Sequence, residues 1–276
     1  MVDVEYLDDV LTAAAAVEIM PRYGLLSSSE IRVKTSAFDV VTTVDIAVEA
    51  AVSEAIRSRY PEAVIVGEEA ADADPSLLTA IDEAPFAVVL DPLDGTKNFT
   101  SDLPLFVSMA AVLRRGRIVG AAIHDPVSRT SVVAAEGEGA WVRRAGSLTD
   151  RLQVASPAPV HEMEVIAGTR FAPEPMRDRL AVNLARFAGH TWFRCAGHEY
   201  RLAASGHVHL LSYHRLMPWD HAPGWLIHRE AGGYSAHLDG LPFRPGRMSG
   251  GLLSAPDEGS WYAARDALYG DAESPA

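Results

Sequence analysis

Cysteine and basic residues are scarce in this sequence. Cys195 is the only cysteine among 276 residues, so no disulfide can form within the chain, and a reducing cytoplasm is expected. Lysine and arginine together number 24, against 37 aspartates and glutamates, which gives a net charge of -13 and a pI of about 5.2. This acidic balance argues against binding to nucleic acid or to an anionic membrane surface.

Long hydrophobic runs, internal repeats and extended low-complexity tracts are also missing. The alanine-rich run Ala13–Val17 is too short to span a bilayer, and residues 1–5 carry acids where a signal peptide carries basic residues. No targeting segment is therefore expected. A hydrophobic content of 48% over 276 residues is enough for one large α/β domain or two moderate ones.

The stretch 91–99, DPLDGTKNF, carries the strongest chemical signal. It follows a short, β-branched apolar run that is typical of a buried strand. Asp91 and Asp94 would point to opposite faces of a continuing strand, but Pro92 and Gly95 are expected to end the strand in a turn. Both carboxylates can then converge, and they repel each other unless one is protonated or a cation lies between them. Mg²⁺ is the simplest such cation.

Three further acids stand beside predicted helices and strands. Thr42 and Asp45 resemble a capping box that begins a helix over about Thr43–Tyr60. Glu68 directly follows a short apolar strand, and Asp220 fits the N-cap of an apolar helix that a glycine pair ends. Taken alone, each of these acids could be structural, as a cap, a dipole partner or a surface charge.

The remaining chain divides into two parts. Four apolar segments separated by turn residues predict an antiparallel meander, and the proline-containing segment 147–161 is the best linker candidate. Strands that alternate with helices beyond it predict a second, α/β layer. We therefore expect an N-terminal α+β part (1–147) with most of the metal ligands and a C-terminal α/β part (148–276), which form one catalytic unit. The polar segment 27–38 is interpreted as a loop, and the acidic segment 70–84 as a mobile surface loop with helix-like and turn-like pieces.

Read together, these motifs resemble the inositol monophosphatase family of Mg²⁺-dependent, lithium-sensitive phosphatases. The matching segments, in the family's order, are 39–45, 67–69, 91–99, 219–220 and 232–233. The similarity covers most of the chain, from about Val4 to Tyr269. It implies an α/β (α+β) fold of the layered αβαβα type, a homodimer, and a small phosphate ester as substrate.

The resemblance also implies a metal site with two to three Mg²⁺ ions, or Mn²⁺ in their place. Glu68, Asp91 and the backbone carbonyl of Leu93 would hold one ion. Asp91, Asp94 and Asp220 would hold another, and Glu68 would lie near a third, weaker ion.

The catalytic roles follow from the same resemblance. Asp45 would orient Thr96, whose hydroxyl would position and help deprotonate the attacking water, with Glu68 beside it. The amides of Gly95 and Thr96 would cradle the phosphate, which agrees with the N–H groups that a helix start offers to an anion. Clustered metals lower the pKa of water and can stabilise both the attacking and the leaving oxygen. No covalent phospho-enzyme is needed.

Haloacid-dehalogenase-like phosphatases are the nearest competing enzyme class. They also place aspartates and a Gly-Thr pair at the end of a strand, but one residue separates their nucleophile from their acid. Pro92 and Leu93 both intervene here. That spacing, together with Glu68 and Asp220, favours attack by water over an aspartyl-phosphate.

The expected substrate wall departs from the family's pattern. Where the family usually has Gly, a small hydroxyl residue and two alanines, this chain has Gly197-His198-Glu199-Tyr200, and Tyr213 replaces a Glu that contacts sugar hydroxyls. Gly197, His198, Glu199 and Tyr213 are expected either to bind substrate or, for His198 and Glu199, to pair internally. Inositol or sugar phosphates are the favoured substrates. The alternatives are 3'-phosphonucleotides, histidinol phosphate, fructose bisphosphate, or a non-catalytic regulatory or binding protein on the same scaffold.

Overall fold

The chain folds into five alternating layers of helix and sheet. The computed structural model describes residues 3–36 and 39–270, and these form a hairpin, a seven-stranded sheet and a five-stranded sheet with helices on every sheet face. The predicted αβαβα sandwich is thereby confirmed. Within the described residues, no helix has the length and apolar character needed to cross a membrane.

A hairpin precedes the large sheet. Strand β1 (Ile31–Ser36) pairs antiparallel with β2 (Asp39–Thr42). The loop predicted over 27–38 is therefore wrong for much of its described part, and positions 37 and 38 lie outside the described residues. The polar β1 is held by main-chain pairing to a partner strand whose Val40 and Val41 are buried. Periodicity in β1 alone does not reveal such a strand.

The large sheet supplies the floor on which the site is built. Its strands, in spatial order, are β3 (Val64–Gly67), β4 (Ala87–Asp94), β5 (Val107–Arg114), β6 (Arg117–Asp125), β7 (Thr130–Ala135), β8 (Gly139–Arg144) and β9 (Ser147–Arg151). Only β3 and β4 are parallel neighbours, and the other pairs are antiparallel. Strand β9 occupies the start of the predicted linker. Its residues are all exposed, so no apolar alternation marks it as a strand.

Five helices belong to the N-terminal part of the chain. They are α1 (Val4–Ala14), α2 (Thr43–Arg59), α3 (Glu68–Ala73), α4 (Ala80–Glu83) and α5 (Thr96–Phe99). Helices α1 and α2 cover one face of the large sheet through an apolar core that includes Leu11, Val48 and Val52. The helix-like pieces expected within 70–84 are present, but the segment is not a surface loop, because α3 and α4 bury Ala71 and Ile81 in the core on the other face.

The second sheet follows in the chain. Its strands are β10 (Glu164–Ala167), β11 (Gly189–Thr191), β12 (Leu210–Tyr213), β13 (Tyr234–His237) and β14 (Leu252–Ala255), in the spatial order β11-β10-β12-β14-β13. Its helices are α6 (Met176–Asn183), α7 (Ala196–Ala204), α8 (Pro218–Glu230) and α9 (Glu258–Tyr269). Helices α7 and α8 contact both sheets and form the middle layer, while α9 packs against the outer face of the second sheet, with α6 against α9.

In the C-terminal part, β11 ends at Thr191 and Cys195 is the N-cap of α7. The predicted N-cap of the helix after Trp219 is wrong, because the N-cap of α8 is Met217 and not Asp220. Pro218 takes the first position of α8, where its missing N–H costs nothing, so Asp220 stands in the first turn of the helix.

Candidate active site

Asp91 and Asp94 lie at the end of β4, where this strand pairs irregularly with β5. The register between the two strands shifts between Asp91 and Asp94. Pro92, which has no N–H to donate, sits in this irregular stretch, as proline in a sheet usually does. The expectation that Pro92 ends the strand is wrong, since β4 extends to Asp94. Both aspartates nevertheless line one pocket, as the sequence predicts.

Gly95 turns the chain sharply from β4 into α5. Its φ of +90° lies in the left-handed region, and a Cβ at this position would stand 2.6 Å from the carbonyl oxygen of Leu105. Only glycine tolerates both constraints. The turn places Thr96 at the first position of α5, where its side chain lines the same pocket.

Four carboxylates from three parts of the chain line this pocket. Asp91 and Asp94 come from β4, Glu68 from the start of α3, and Asp220 from the first turn of α8. Burial, followed by the negative charges of the other acids, raises the pKa of Asp91 and of Asp220 well above the ordinary value. Burial also raises the pKa of Asp94 to about 6. The pocket therefore brings several buried or half-buried carboxyl groups together, and the pKa of three of them is raised.

The carboxylate of Asp94 is held in place by the start of α7. Its Oδ2 accepts the backbone N–H of Gly197 at 2.6 Å and lies 3.3 Å from the Cys195 sulfur. A Cβ on Gly197 would approach Val107 to 2.4 Å, so glycine lets α7 come close enough for this bond. Cys195 is buried, and burial raises the pKa of its thiol, which disfavours the nucleophilic thiolate.

Asp45 stands behind Thr96. The Thr96 hydroxyl lies 3.0 Å from Asp45 Oδ1 and 2.8 Å from the carbonyl oxygen of Leu93. The predicted capping box is present, because Asp45 Oδ2 accepts the backbone N–H of Thr42 at 2.8 Å and the Thr42 hydroxyl at 2.5 Å. Burial raises the pKa of Asp45 to about 6, although these hydrogen bonds act in the opposite direction. One carboxylate thus both caps α2 and orients a pocket hydroxyl.

The donor set of this pocket suits a hard divalent cation. It offers four carboxylates, and hard cations such as Mg²⁺ prefer oxygen ligands. The raised pKa values show that a cation here would relieve repulsion between buried acids. Across residues 3–36 and 39–270, no three His, Cys, Asp or Glu side chains already stand at the mutual spacing of metal ligands.

Lys34 forms ion pairs with the two glutamates at the start of α3. Its ammonium lies 3.0 Å from Glu68 Oε1 and 2.7 Å from Glu69 Oε1. Burial lowers the pKa of Lys34, but the two carboxylates outweigh burial, so the pKa stands above its ordinary value. Sequence reasoning placed Lys34 in a loop and gave it no role. Lysine is rare here, and the only two lysines of the sequence, Lys34 and Lys97, both belong to this site, so their rarity was a usable signal.

The predicted substrate wall is only partly assembled as expected. Glu199 and Tyr213 line the pocket and bond to each other, with the Tyr213 hydroxyl donating to Glu199 Oε2 at 2.8 Å. Glu199 Oε1 accepts the backbone N–H of Phe193 at 2.9 Å, and burial raises the Glu199 pKa to about 7.

Gly197 and His198 do not line the pocket. Gly197 acts only through its backbone bond to Asp94, and the His198 ring lies in the electrostatic range of Asp125 and Arg201 on the other side of α7. The expected pairing of His198 with Glu199 is therefore wrong. Neighbouring positions on a helix face different directions, and of Gly197, His198 and Glu199 only Glu199 lines the pocket.

Comparisons with known proteins agree with this architecture. Residues 3–271 match the model of the inositol monophosphatase family. The Nus factor SuhB of Haemophilus influenzae is 31% identical over 223 residues, which cover 79% of this chain and 78% of that protein. The structure of SuhB from Bartonella henselae superposes with a TM-score of 0.80 at 23% identity, over 94% of this chain and 97% of that one. Staphylococcal IMPase-II with bound inositol monophosphate gives a TM-score of 0.77 at 19% identity, over 98% and 93%.

Proposed function

The chain belongs to the inositol monophosphatase family, and we propose that it is a Mg²⁺-dependent phosphomonoesterase that hydrolyses a small hydroxylated phosphate ester of the inositol-phosphate or sugar-phosphate kind. The observation that carries this proposal is the Asp45–Thr96 hydrogen bond beside four carboxylates in one pocket. A binding protein would not need an oriented hydroxyl next to such a set of acids.

The residues that would hold the ions are Glu68, Asp91, Asp94, Asp220 and the carbonyl of Leu93. When bound, Mg²⁺ supplies Lewis-acid activation of water and neutralises charge on the transferring phosphoryl group. Two or three ions, with Mn²⁺ as a substitute, follow from the family resemblance.

Thr96 and Asp45 would move the proton. Thr96 can accept a proton from the attacking water and pass its own to Asp45 Oδ1, which lies 3.0 Å away. A pKa of about 6 suits Asp45 to receive that proton near neutral pH. The backbone N–H groups of Gly95 and Thr96, after the left-handed turn, would hold the phosphate.

The decisive experiment is phosphate release from a broad phosphoester panel with a Mg²⁺ titration. The panel includes inositol and sugar phosphates, 3'-phosphonucleotides, histidinol phosphate and fructose bisphosphate. We expect Asp94→Asn to abolish turnover while the circular dichroism spectrum stays unchanged, and Asp178→Asn, at an exposed position of α6, to remain active. Activity that survives in Asp94→Asn, or with a chelator present, would contradict the proposal. Inhibition by lithium is a secondary test.

The second candidate function is a regulatory or binding role without turnover, which the relatives named as Nus factors favour. Six residues whose chemistry serves turnover argue for the enzyme: Asp45, Glu68, Asp91, Asp94, Thr96 and Asp220. Mg²⁺ binding without activity on the whole panel, combined with specific capture of a macromolecule, would favour the second candidate. We further propose a homodimer in a reducing cytoplasm, and light scattering after size-exclusion chromatography checks the oligomeric state.

A further inference from the structure

The pocket has a basic zone as well as an acidic floor, which is formed by the four candidate metal ligands Glu68, Asp91, Asp94 and Asp220. Three arginines, Arg170, Arg194 and Arg215, line the same pocket as the four candidate metal ligands. A guanidinium group stays charged at any physiological pH and can hold a phosphate or carboxylate through two parallel N–H donors. The pocket therefore presents two zones of opposite charge to one ligand.

The ring of Phe171 contacts the guanidinium groups of two of these arginines. The guanidinium carbon of Arg170 lies 5.3 Å from the centre of the Phe171 ring, and that of Arg215 lies 5.6 Å from it. The ring itself is 46% exposed, and Arg215 is exposed while Arg170 is half-buried. Arg215 and Asp220 lie five positions apart in the chain and line the same pocket. The basic zone thus borders directly on the acidic floor.

Arg194 joins this zone from a constrained turn. Its φ of +59° lies in the left-handed region, which a residue with a side chain seldom adopts. The turn directs the backbone N–H of the preceding Phe193 to Glu199 at 2.9 Å and leaves the Arg194 side chain in the pocket lining.

The carboxylate of Glu199, which also lines this pocket, is already hydrogen-bonded within the protein. Glu199 is 1% exposed, and its two oxygens accept the Phe193 N–H and the Tyr213 hydroxyl. Its hydrogen-bonding capacity is therefore used within the protein. Among the residues that line the pocket, Lys97 and the three arginines carry positive charge.

We propose that the substrate carries a second anionic group, phosphate or carboxylate, which Arg170, Arg194 and Arg215 bind while the acidic floor receives the scissile phosphate. This inference rests on the proposed phosphatase function and narrows its substrate class to bis-anionic phosphate esters. The second group is bound and oriented but not altered, so its contribution is affinity and alignment for the reaction.

Matched pairs of substrates test the inference. Fructose 1-phosphate is compared with fructose 1,6-bisphosphate, and 2'-AMP with adenosine 2',5'-bisphosphate, by initial rates of phosphate release in Mg²⁺. We expect kcat/KM to be at least about tenfold higher for a bisphosphate, since a charge-assisted bond contributes about that factor or more. Arg170→Gln and Arg215→Gln should each lower the ratio of the two kcat/KM values severalfold, mainly through KM. The control Arg57→Gln, on an exposed part of α2, should leave the ratio as it is.

Other results would overturn the inference. Equal kcat/KM within both pairs would do so, and so would a preference for bisphosphates that neither arginine variant reduces. If no member of either pair is hydrolysed, the proposed phosphatase function fails on these esters, and calorimetric binding of the same compounds in Mg²⁺ decides the inference separately. Tighter binding of the bisphosphates that the arginine variants weaken would support it, and equal binding would refute it.

Discussion

Glu49 lies directly against the backbone of Gly67, so closely that a Cβ built on this glycine would stand 2.3 Å from the Glu49 carboxylate carbon. The same carboxylate accepts the backbone N–H groups of Glu69 and Ala70 at 2.9 and 2.8 Å. It therefore caps the first turn of α3 from a different helix and fixes the turn that carries Glu68. Glu49 is a positioning residue for the candidate metal site.

Substitutions at this contact should weaken metal activation. We expect Gly67→Ala to push the Glu49 carboxylate aside and Glu49→Gln to replace one acceptor by a donor. Each change should raise the Mg²⁺ concentration for half-maximal activity about 10-fold or more, as losses around a metal ligand typically do. Glu54→Gln, at an exposed position of the same helix, is the control for charge. An unchanged Mg²⁺ titration in both variants would show that Glu49 only stabilises α3.

We expect the hydroxyl group of Thr96 to be essential for turnover and its methyl group to be dispensable. Thr96→Ala removes the group that lies 3.0 Å from Asp45 Oδ1, and we expect kcat to fall by about 10²–10⁴, the usual contribution of positioned proton transfer. Thr96→Ser keeps the hydroxyl and should retain most of the activity. Steady-state kinetics on the best substrate of the panel distinguish the two. An alanine variant as active as the serine variant would remove Thr96 from the proposed mechanism.

Four side chains make the stability of the metal-free protein depend on pH. The folded-state pKa is raised to about 6 for Asp45 and Asp94, so their contribution to stability is present below the unfolded value of 3.8 and is lost as pH rises through 6. His221 and His228 act in reverse. Their pKa is lowered to about 4, so their contribution is lost as pH falls from the unfolded value of 6.5 toward 4.

The difference in Tm with and without Mg²⁺ separates these effects, because Glu68, Asp91, Asp94 and Asp220 are proposed ligands, whereas Asp45 and the two histidines are not. At low pH the ion must displace protons from the acids, and at pH 7.5 it need not. We expect the Tm difference to be small at pH 5 and to increase through pH 6 to pH 7.5. At an ion concentration of 100 Kd, the stabilisation is about 2.7 kcal/mol. A Tm difference that is the same at pH 5 and pH 7.5 would show that these carboxylates do not bind the ion.

The bond between Tyr213 and Glu199 should stabilise the fold. Tyr213→Phe keeps the ring, which stacks on Tyr200 at 5.6 Å, but removes the hydroxyl that donates to the buried carboxylate. We expect a loss of about 1–3 kcal/mol in the free energy of unfolding, measured in urea at pH 8. The Glu199 pKa, already about 7, should rise further, so the loss should be smaller at pH 6. A loss that is the same at pH 6 and pH 8 would show that the hydroxyl does not act through the ionised Glu199 carboxylate.

Sequence reasoning predicted well those features that local patterns determine. The acids at the end of β4, the capping box at Asp45 and the layered fold all follow from short motifs in a known order. The sequence missed Lys34 because β1 is polar and depends on main-chain pairing with a distant partner. The sequence wrongly placed His198 in the pocket, because the direction that one helix position faces depends on how α7 packs between the sheets. Glu49 was missed because its target, the first turn of α3, is 20 positions away.

The contacts of α7 and α8 determine when this site can exist during synthesis. Gly197 and Asp94, which share the 2.6 Å bond, are 103 positions apart, and Asp220 comes later still on α8, which packs on the first sheet. Closing such distant contacts is slow and follows local structure. A nascent chain that ends within the first sheet therefore holds Asp91 and Asp94 without their partners from the middle layer. The pocket should therefore be complete only after α8 has been synthesised and has packed on the first sheet.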